Sequence, residues 1–300
     1  MRQTGLKKLF IVIIAVILTA CAGLSDKQGE QSHHLSGEVT PGLTEREDLR
    51  IISPQGKTVK ERIMEPEGYE RINEEINSFA GYLRNLPLKP HGSKVLYYDG
   101  REKRRDVHEA VIDMDVGDRD LQQCADAVMR LRAEYLYKTG QYEKVHFNFT
   151  NGFNAEYIKW RQGNRISVNG NDVSWVEGAG HSEDYETFRK YLDIVFAYAG
   201  TQSLAGELKR VDVSDIQIGD VFIKGGSPGH CVIVIDMAHN RDTEEKVFLL
   251  AQSYMPAQDI HVLKNTQDKS ISPWFPEDFG DVLVTPEWTF EKDQLMRFAE

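Results

Sequence analysis

Residues 216–236 read IQIGDVFIKGGSPGHCVIVID, an apolar run, a glycine turn, and then a histidine and a cysteine side by side at the mouth of a second apolar run. The stretches that follow, GHCVIVIDMA, EKVFLLAQSY and IHVLKN, are equally short and apolar and are separated by turn signals. Together they predict consecutive antiparallel strands, a meander over about residues 216–264 with both faces covered. Neighbours in a strand point to opposite faces. His230, Val232, Val234 and Asp236 are therefore expected on one face, and Cys231, Ile233 and Ile235 on the other. A turn near Asn240–Thr243 would bring residues near Ser253 opposite His230, with Gln252 close beside it.

Upstream the apolar period becomes helical. In RDLQQCADAVMRLRAEYLYKTG, Leu121, Cys124, Val128, Leu131 and Tyr135 recur at spacings of three and four. The pattern predicts a helix over residues 118–139, capped by Asp118 or Asp120 and ended by Gly140. SEDYETFRKYLDIVFAYAG predicts another helix with acids in its first turn. GYERINEEINSFAGYLRNLP predicts one whose apolar face is Ile72, Ile76, Phe79, Tyr82 and Leu83, and NAEYIKW a short one. KVLYYDG and VHEAVIDMDVG read as two strands joined by the charged turn REKRRD, and YEKVHFNFT as a further strand. Helices first and a meander after predict a single α+β domain over residues 49–300, with helices packed on an antiparallel sheet.

The chain opens MRQTGLKKLFIVIIAVILTACAG. Arg2, Lys7 and Lys8 precede an apolar run from Leu9 to Ala20, shorter than the roughly 20 residues a spanning helix needs and of secretory length. Leu18-Thr19-Ala20-Cys21 has the form of a bacterial lipoprotein cleavage site. Residues 1–20 are thus expected to be a signal peptide, Cys21 the lipidated residue, and 21–48 a flexible polar tether. Acyl chains contribute ~0.8 kcal/mol per buried CH₂, so several make a lasting anchor. The expected location is the bacterial cell envelope, lipid-anchored to a membrane through Cys21, with peptidoglycan as a possible partner. A net charge of −11 argues against nucleic acid as a partner.

Setting Cys21 aside, two of the three cysteines remain, Cys124 and Cys231. An exported compartment permits a disulfide between them. Cys124, near the positive end of its helix dipole, reads either as a nucleophile with a lowered thiol pKa or as a buried core cysteine. Gln122 and Gln123 are oxyanion candidates, since each offers an amide donor. A thiol, an imidazole and an amide that orients the imidazole are the parts of a cysteine acyl-transfer site, and Cys124, His230 and Gln252 supply them. Cys231, on the other strand face, is then a packing residue. A Cys124–Cys231 bond and a Cys124–His230 pair would place the helix on opposite faces of the sheet, so they exclude each other short of a bulge. The acids of DMDVGDRD miss the positions of a calcium loop, the histidines lack zinc spacing, and GGSPG opens no helix. No metal or cofactor is implied.

The stretches IQIGDVFIKGGSPGHCVIVID and VFLLAQSYMPAQDIHVL resemble the C-terminal half of the NlpC-like papain-fold cell-wall peptidases, and LQQCADAV resembles their nucleophile helix. The resemblance implies a papain-like fold with Cys124 as nucleophile, His230 as base and Gln252 as orienting residue, at a position where histidine is frequent. The long separation of Cys124 from His230 implies an inserted helical segment at about residues 145–210. From about residue 60 onward the chain also resembles a lipoprotein family designated only as domain of unknown function 4846, through DRDLQQCADAVMRLRAEYLY, FNFTNGF, GDVFIKGGSPGH, LLAQSYMPAQDIHVL and TPEWTF. That resemblance brings no activity; it implies a small residue after the histidine, and so a packing role for Cys231. The functional expectation is an exported, lipid-anchored cysteine hydrolase acting on amide bonds, with peptidoglycan stem peptides as the first substrate class. The alternatives are a non-catalytic envelope lipoprotein that binds glycan, peptide or a protein partner, and an enzyme that transfers acyl esters.

Overall fold

β-branched residues dominate the apolar run that starts at Cys231, and in the computed structural model, which describes residues 51–299, the strand it forms is the axis of the fold. The expected signal peptide, Cys21 and the tether lie outside the described residues. The N-terminal part supplies α1 (Val59–Arg62), β1 (Tyr69–Arg71), α2 (Phe79–Arg84) and β2 (His108–Val111). The long helix α3 (Cys124–Lys138) follows. Next come β3 (His146–Asn148), β4 (Asn154–Glu156), α4 (Tyr157–Arg161), β5 (Asn164–Asn169), β6 (Asp172–Glu177), α5 (Tyr185–Tyr198), α6 (Thr201–Glu207) and β7 (Lys209–Arg210). The meander is β8 (Val221–Lys224), β9 (His230–Asn240), β10 (Lys246–Gln252) and β11 (His261–Leu263). The chain closes with β12 (Phe275–Pro276), β13 (Val282–Val284), β14 (Thr289–Glu291) and β15 (Leu295–Arg297).

Among the described residues, the main sheet has nine antiparallel strands in the order β2-β11-β10-β9-β8-β15-β7, with β1 added to β9 and β12 to β10. β9 is long enough to pair with β8 through its first residues and with β1 through its last. Its residues are buried on both faces, so the sequence shows an unbroken apolar run instead of alternation. One face carries helices: α3 lies against β9 and β10 and also touches α2, α5 and α6. The other face carries an aromatic cluster in which Phe222 stacks on Phe248 and meets Phe279 and Phe290. Phe222, Phe248 and Phe290 are fully buried, and each contributes roughly 1.5–3 kcal/mol of apolar burial.

A bulge in β9 corrects the expected face assignment. β9 pairs with β10 from His239↔Lys246 to Asp236↔Leu249 and then jumps to Val234↔Leu250. The extra residue on β9 inverts the alternation. Asp236 therefore joins Cys231 and Ile233 on the helix face, not His230. There, fully buried, it accepts from Arg71 Nε at 2.7 Å and from Arg84 Nε at 2.6 Å. The two pairs clamp β1 and α2 onto the middle of the sheet.

Other expectations change for local reasons. The helix expected in GYERINEEINSFAGYLRNLP is only Phe79–Arg84: Tyr69–Arg71 completes the edge of β9, and Ile76 is 84% exposed. Ser78 starts the helix by accepting the Gly81 N–H at 3.0 Å. KVLYYDG forms only two isolated bridges, Leu96↔Glu102 and Tyr97↔Gln258, and the Asp259 carboxylate takes the Leu96 N–H at 2.9 Å. In YEKVHFNFT only His146–Asn148 is strand, and NAEYIKW begins as its partner β4 before turning helical at Tyr157. The segment 145–210 is not purely helical, since it includes the β5–β6 hairpin.

The helix expected from residue 118 begins at Cys124 itself. Asp126, in its first turn, accepts the Gln123 N–H at 3.0 Å and closes the N-terminus. Asp120 is occupied elsewhere, accepting from Gln123 Nε2 at 3.0 Å and from the Ala257 N–H at 2.7 Å. Ala, Leu, Met and Arg then carry the helix until Gly140 provides the left-handed turn at φ 71°.

Candidate active site

The start of α3 and the start of β9 meet at one end of the sheet, beside a cavity of about 730 Å³ lined by both Cys124 and His230. Gly229 makes the approach possible. A Cβ at this position would lie 2.3 Å from Thr201 Oγ1 and 2.4 Å from the Gly226 carbonyl oxygen, so only glycine lets the turn before β9 pack onto the start of α6.

His230 is the first residue of its strand, so its ring stands at the open end of the sheet. Its Nε2 lies 2.9 Å from Gln252 Oε1. The orientation of that amide follows from its other end: Gln252 Nε2 donates to Glu287 Oε2 at 2.8 Å and lies 3.3 Å from His261 Nε2. An amide oxygen only accepts, so His230 Nε2 carries the proton and Nδ1 is left for the thiol. His261 Nδ1 donates to the Asp259 carbonyl at 2.9 Å, leaving its Nε2 as the acceptor. Full burial pushes His261 down to about 3, so it stays neutral. Glu287 pairs with Lys103 at 2.9 Å, and Lys103 donates to Gln258 at 2.9 Å. The tautomer of His230 thus rests on a buried polar network. Tyr254, Trp288 and Phe290 surround the ring at centroid distances of 4.7, 5.3 and 6.0 Å.

Cys124 is the most strongly activated group at the site. The Cys231 thiol hydrogen-bonds its sulfur, burial opposes ionisation, and the His230 imidazole contributes a hydrogen bond and its charge. With the Ala125 N–H these bring the Cys124 thiol down to about 4. Burial pushes the Cys231 thiol well up, and contact with Cys124 pushes it the same way. Burial likewise raises the Asp126 carboxyl well above its usual range, with the Cys124 charge adding to it. A thiolate at Cys124 therefore sits among groups that keep their protons.

The expectation that Cys231 cannot take part in the Cys124–His230 site is overturned. The two side chains do leave β9 on opposite faces. Because the pair stands at the strand's end, however, the first residue of α3 reaches His230 while resting on Cys231. Both cysteines are free thiols. The two oxyanion candidates separate. Gln123 lines the cavity. Gln122 is fully buried, with its side-chain oxygen taken by Arg130 Nη1 and its backbone carbonyl by Ser253 Oγ. Arg130, itself buried, needs that acceptor, which turns the Gln122 amide away from the cavity. Among the described residues, no group of three or more His, Cys, Asp or Glu side chains is placed to hold a metal ion.

His261, Glu287, Lys103 and Trp288 were not singled out as site residues from sequence. Lys103, His261 and the adjacent pair Glu287–Trp288 come from segments far apart in the chain with no shared spacing. The signals available were the quoted stretches LLAQSYMPAQDIHVL, which holds His261, and TPEWTF, which holds Glu287 and Trp288.

The model of one protein family, domain of unknown function (4846), matches residues 59–297. The chain belongs to that family. The match spans α3, the whole meander and the Glu287–Trp288 loop, so each polar partner named above lies within the domain of unknown function (4846). Neither a curated protein nor a solved structure matches the chain.

Proposed function

We propose that this protein is an exported, lipid-anchored cysteine hydrolase of amide bonds, with a papain-like, NlpC-like arrangement and peptidoglycan stem peptides as its first substrate class. The observation that carries the reading is the contact of the Cys124 sulfur with His230, whose far nitrogen is held by Gln252. The Cys124 thiolate attacks the amide carbonyl carbon, and the carbonyl oxygen takes the negative charge. Gln123, Cys124 and Ala125 line the cavity where that charge develops, and the first N–H groups of α3, with the second hydrogen of the Gln123 amide, are the donors proposed for it. His230, holding on Nδ1 the proton it took from the thiol, then gives that proton to the leaving amine, an acyl-enzyme forms, and water activated by His230 releases the acid. The Cys21 anchor and the envelope location belong to this same proposal. Among the described residues no helix is long and apolar enough to cross a membrane.

The test is to incubate the full-length protein with purified muropeptides and follow cleavage by liquid chromatography and mass spectrometry, alongside Cys124→Ala. New amine and acid termini formed by the wild type and not by the variant are expected. Rapid alkylation of Cys124 with no amide cleaved across a stem-peptide panel would exclude this substrate class. A thiol that alkylates only after unfolding would remove the hydrolase reading and favour a binding lipoprotein.

A further inference from the structure

The hydrolytic cycle makes and breaks bonds at the Cys124 sulfur alone; Cys231, which hydrogen-bonds that sulfur, takes part in none of them. Cys231 is completely buried, on the helix-facing side of β9, and its thiol donates to the Cys124 sulfur. Cys124 is partly exposed and lines the cavity, so a small oxidant reaches it and does not reach Cys231. Burial also prevents Cys231 from meeting a thiol on another molecule. A reactive thiolate open to solvent, with a second thiol behind it that can bond to nothing else, is the arrangement of a peroxide-sensitive pair.

We propose that Cys231 is the resolving partner of Cys124, so that oxidation of the nucleophile by a hydroperoxide ends in a reversible intramolecular disulfide. The proposal rests on the reading of Cys124 as a reactive thiolate. In the first step the Cys124 sulfur attacks one oxygen of the hydroperoxide. The O–O bond breaks, Cys124 becomes a sulfenic acid, and the other oxygen leaves as water or an alcohol after taking a proton. In the second step the Cys231 sulfur attacks the Cys124 sulfur. The S–O bond breaks, and the Cys231 proton leaves with the departing hydroxide as water. Two thiols have lost two electrons, and the hydroperoxide has gained them. A dithiol reductant reverses the change by thiol–disulfide exchange.

The order of events is built into the contact. Burial first, and then the hydrogen bond to Cys124 and the charge of its thiolate, keep the proton on Cys231. A sulfenic acid carries no charge, so oxidation of Cys124 removes the part of that hold that the thiolate supplies. The disulfide takes the sulfur away from His230, stops hydrolysis, and spares Cys124 from irreversible conversion to sulfinic and sulfonic acids.

The experiment treats reduced full-length protein with hydrogen peroxide and follows intact mass and non-reducing peptide maps, beside Cys231→Ala and Cys231→Ser. The wild type is expected to lose two hydrogens, yield a Cys124–Cys231 linked peptide, and regain alkylation of Cys124 with dithiothreitol. Both variants should instead trap dimedone at Cys124 and then gain oxygens at least ~10-fold faster than the wild type. Equal over-oxidation of wild type and variants, or a disulfide only between chains, overturns the proposal. Iodoacetamide keeps the two readings apart. Rapid alkylation of Cys124 without an internal disulfide removes the resolving role alone, whereas a Cys124 inert to both reagents removes the nucleophile reading with it.

Discussion

Gln252 accepts the Nε2 proton of His230 at 2.9 Å, and this one bond decides which face of the imidazole is free for Cys124. An apolar residue at position 252 would leave a buried ring nitrogen unpartnered and let the ring rotate. Gln252 is itself held by Glu287, so the orientation is imposed by the fold around the site and does not wait for substrate.

Gln252→Ala is expected to lower the alkylation rate of Cys124 at pH 6 by roughly 10–100-fold, as loss of a partner that orients a reacting histidine does elsewhere. Gln252→His, which keeps an acceptor on the ring, should recover a large part of the rate. Iodoacetamide kinetics followed by peptide mass spectrometry measure both. An unchanged rate in Gln252→Ala would show that the amide does not position the ring.

The pH profile of the same labelling follows from the Cys124 thiol at about 4. The groups facing it are Cys231 and His230 from β9, Asp126 from its own helix and Tyr254 beyond β10. The acid is depressed, so the thiolate persists above its pKa and is lost only as the pH falls through about 4. Labelling should stay high under mildly acidic conditions, where an ordinary cysteine with a pKa of about 8.5 is almost wholly protonated. His230→Ala and Cys231→Ala should each move the profile upward. In His230→Ala the rate at pH 6 should fall at least ~10-fold.

Asp236 offers a prediction about stability alone. Removing its carboxylate leaves Arg71 and Arg84, both nearly buried, without their shared partner. Asp236→Ala should cost about 3–5 kcal/mol in denaturant unfolding. Because the clamp lies away from the cavity, the folded variant should keep a normal Cys124 labelling rate, and a loss of labelling without a loss of stability would contradict this assignment.

His261 sets an acid limit. Its folded pKa is about 3 against 6.5 for a free side chain, so the unfolded chain takes up a proton that the folded chain refuses. The stabilisation is complete above pH 6.5 and declines as the pH falls toward about 3. Within this window the group costs up to ~1.4 kcal/mol per pH unit. Glu207, raised by burial to about 6, works in the opposite sense over part of the range, so the test is the difference between wild type and His261→Asn. Urea unfolding across pH 4–7 should show the wild type losing stability faster than the variant on acidification. Parallel curves would show that His261 is charged or solvated in the folded protein.

The meander was legible because its signals are local. Strand ends and turns in residues 216–264 are written in glycines, prolines and runs of valine and isoleucine, and β8 to β11 fall inside the expected range. The long helix was legible for the same reason, although its first residue was not: the N-cap is Gln123, whose N–H is taken by Asp126 behind Cys124, and not one of the acids in front. The nearness of Gln252 to His230 was legible because hairpin register carries across one turn. Asp236 went to the wrong face because a bulge adds one residue to β9 and leaves no mark in the apolar pattern.

By itself, the sequence determined the α+β class, the succession of helices and then a meander, and which cysteine lies in a helix, since these follow from residue-by-residue preferences and apolar spacing. Only the tertiary structure decided that Cys231 touches Cys124, that Gln122 turns inward to Arg130 while Gln123 stays at the cavity, and that Glu287, Lys103 and His261 stand behind Gln252. All but the Gln122–Arg130 bond join segments far apart in the chain. They depend on where the ends of packed elements meet, and on buried polar groups finding the partners that desolvation obliges them to have.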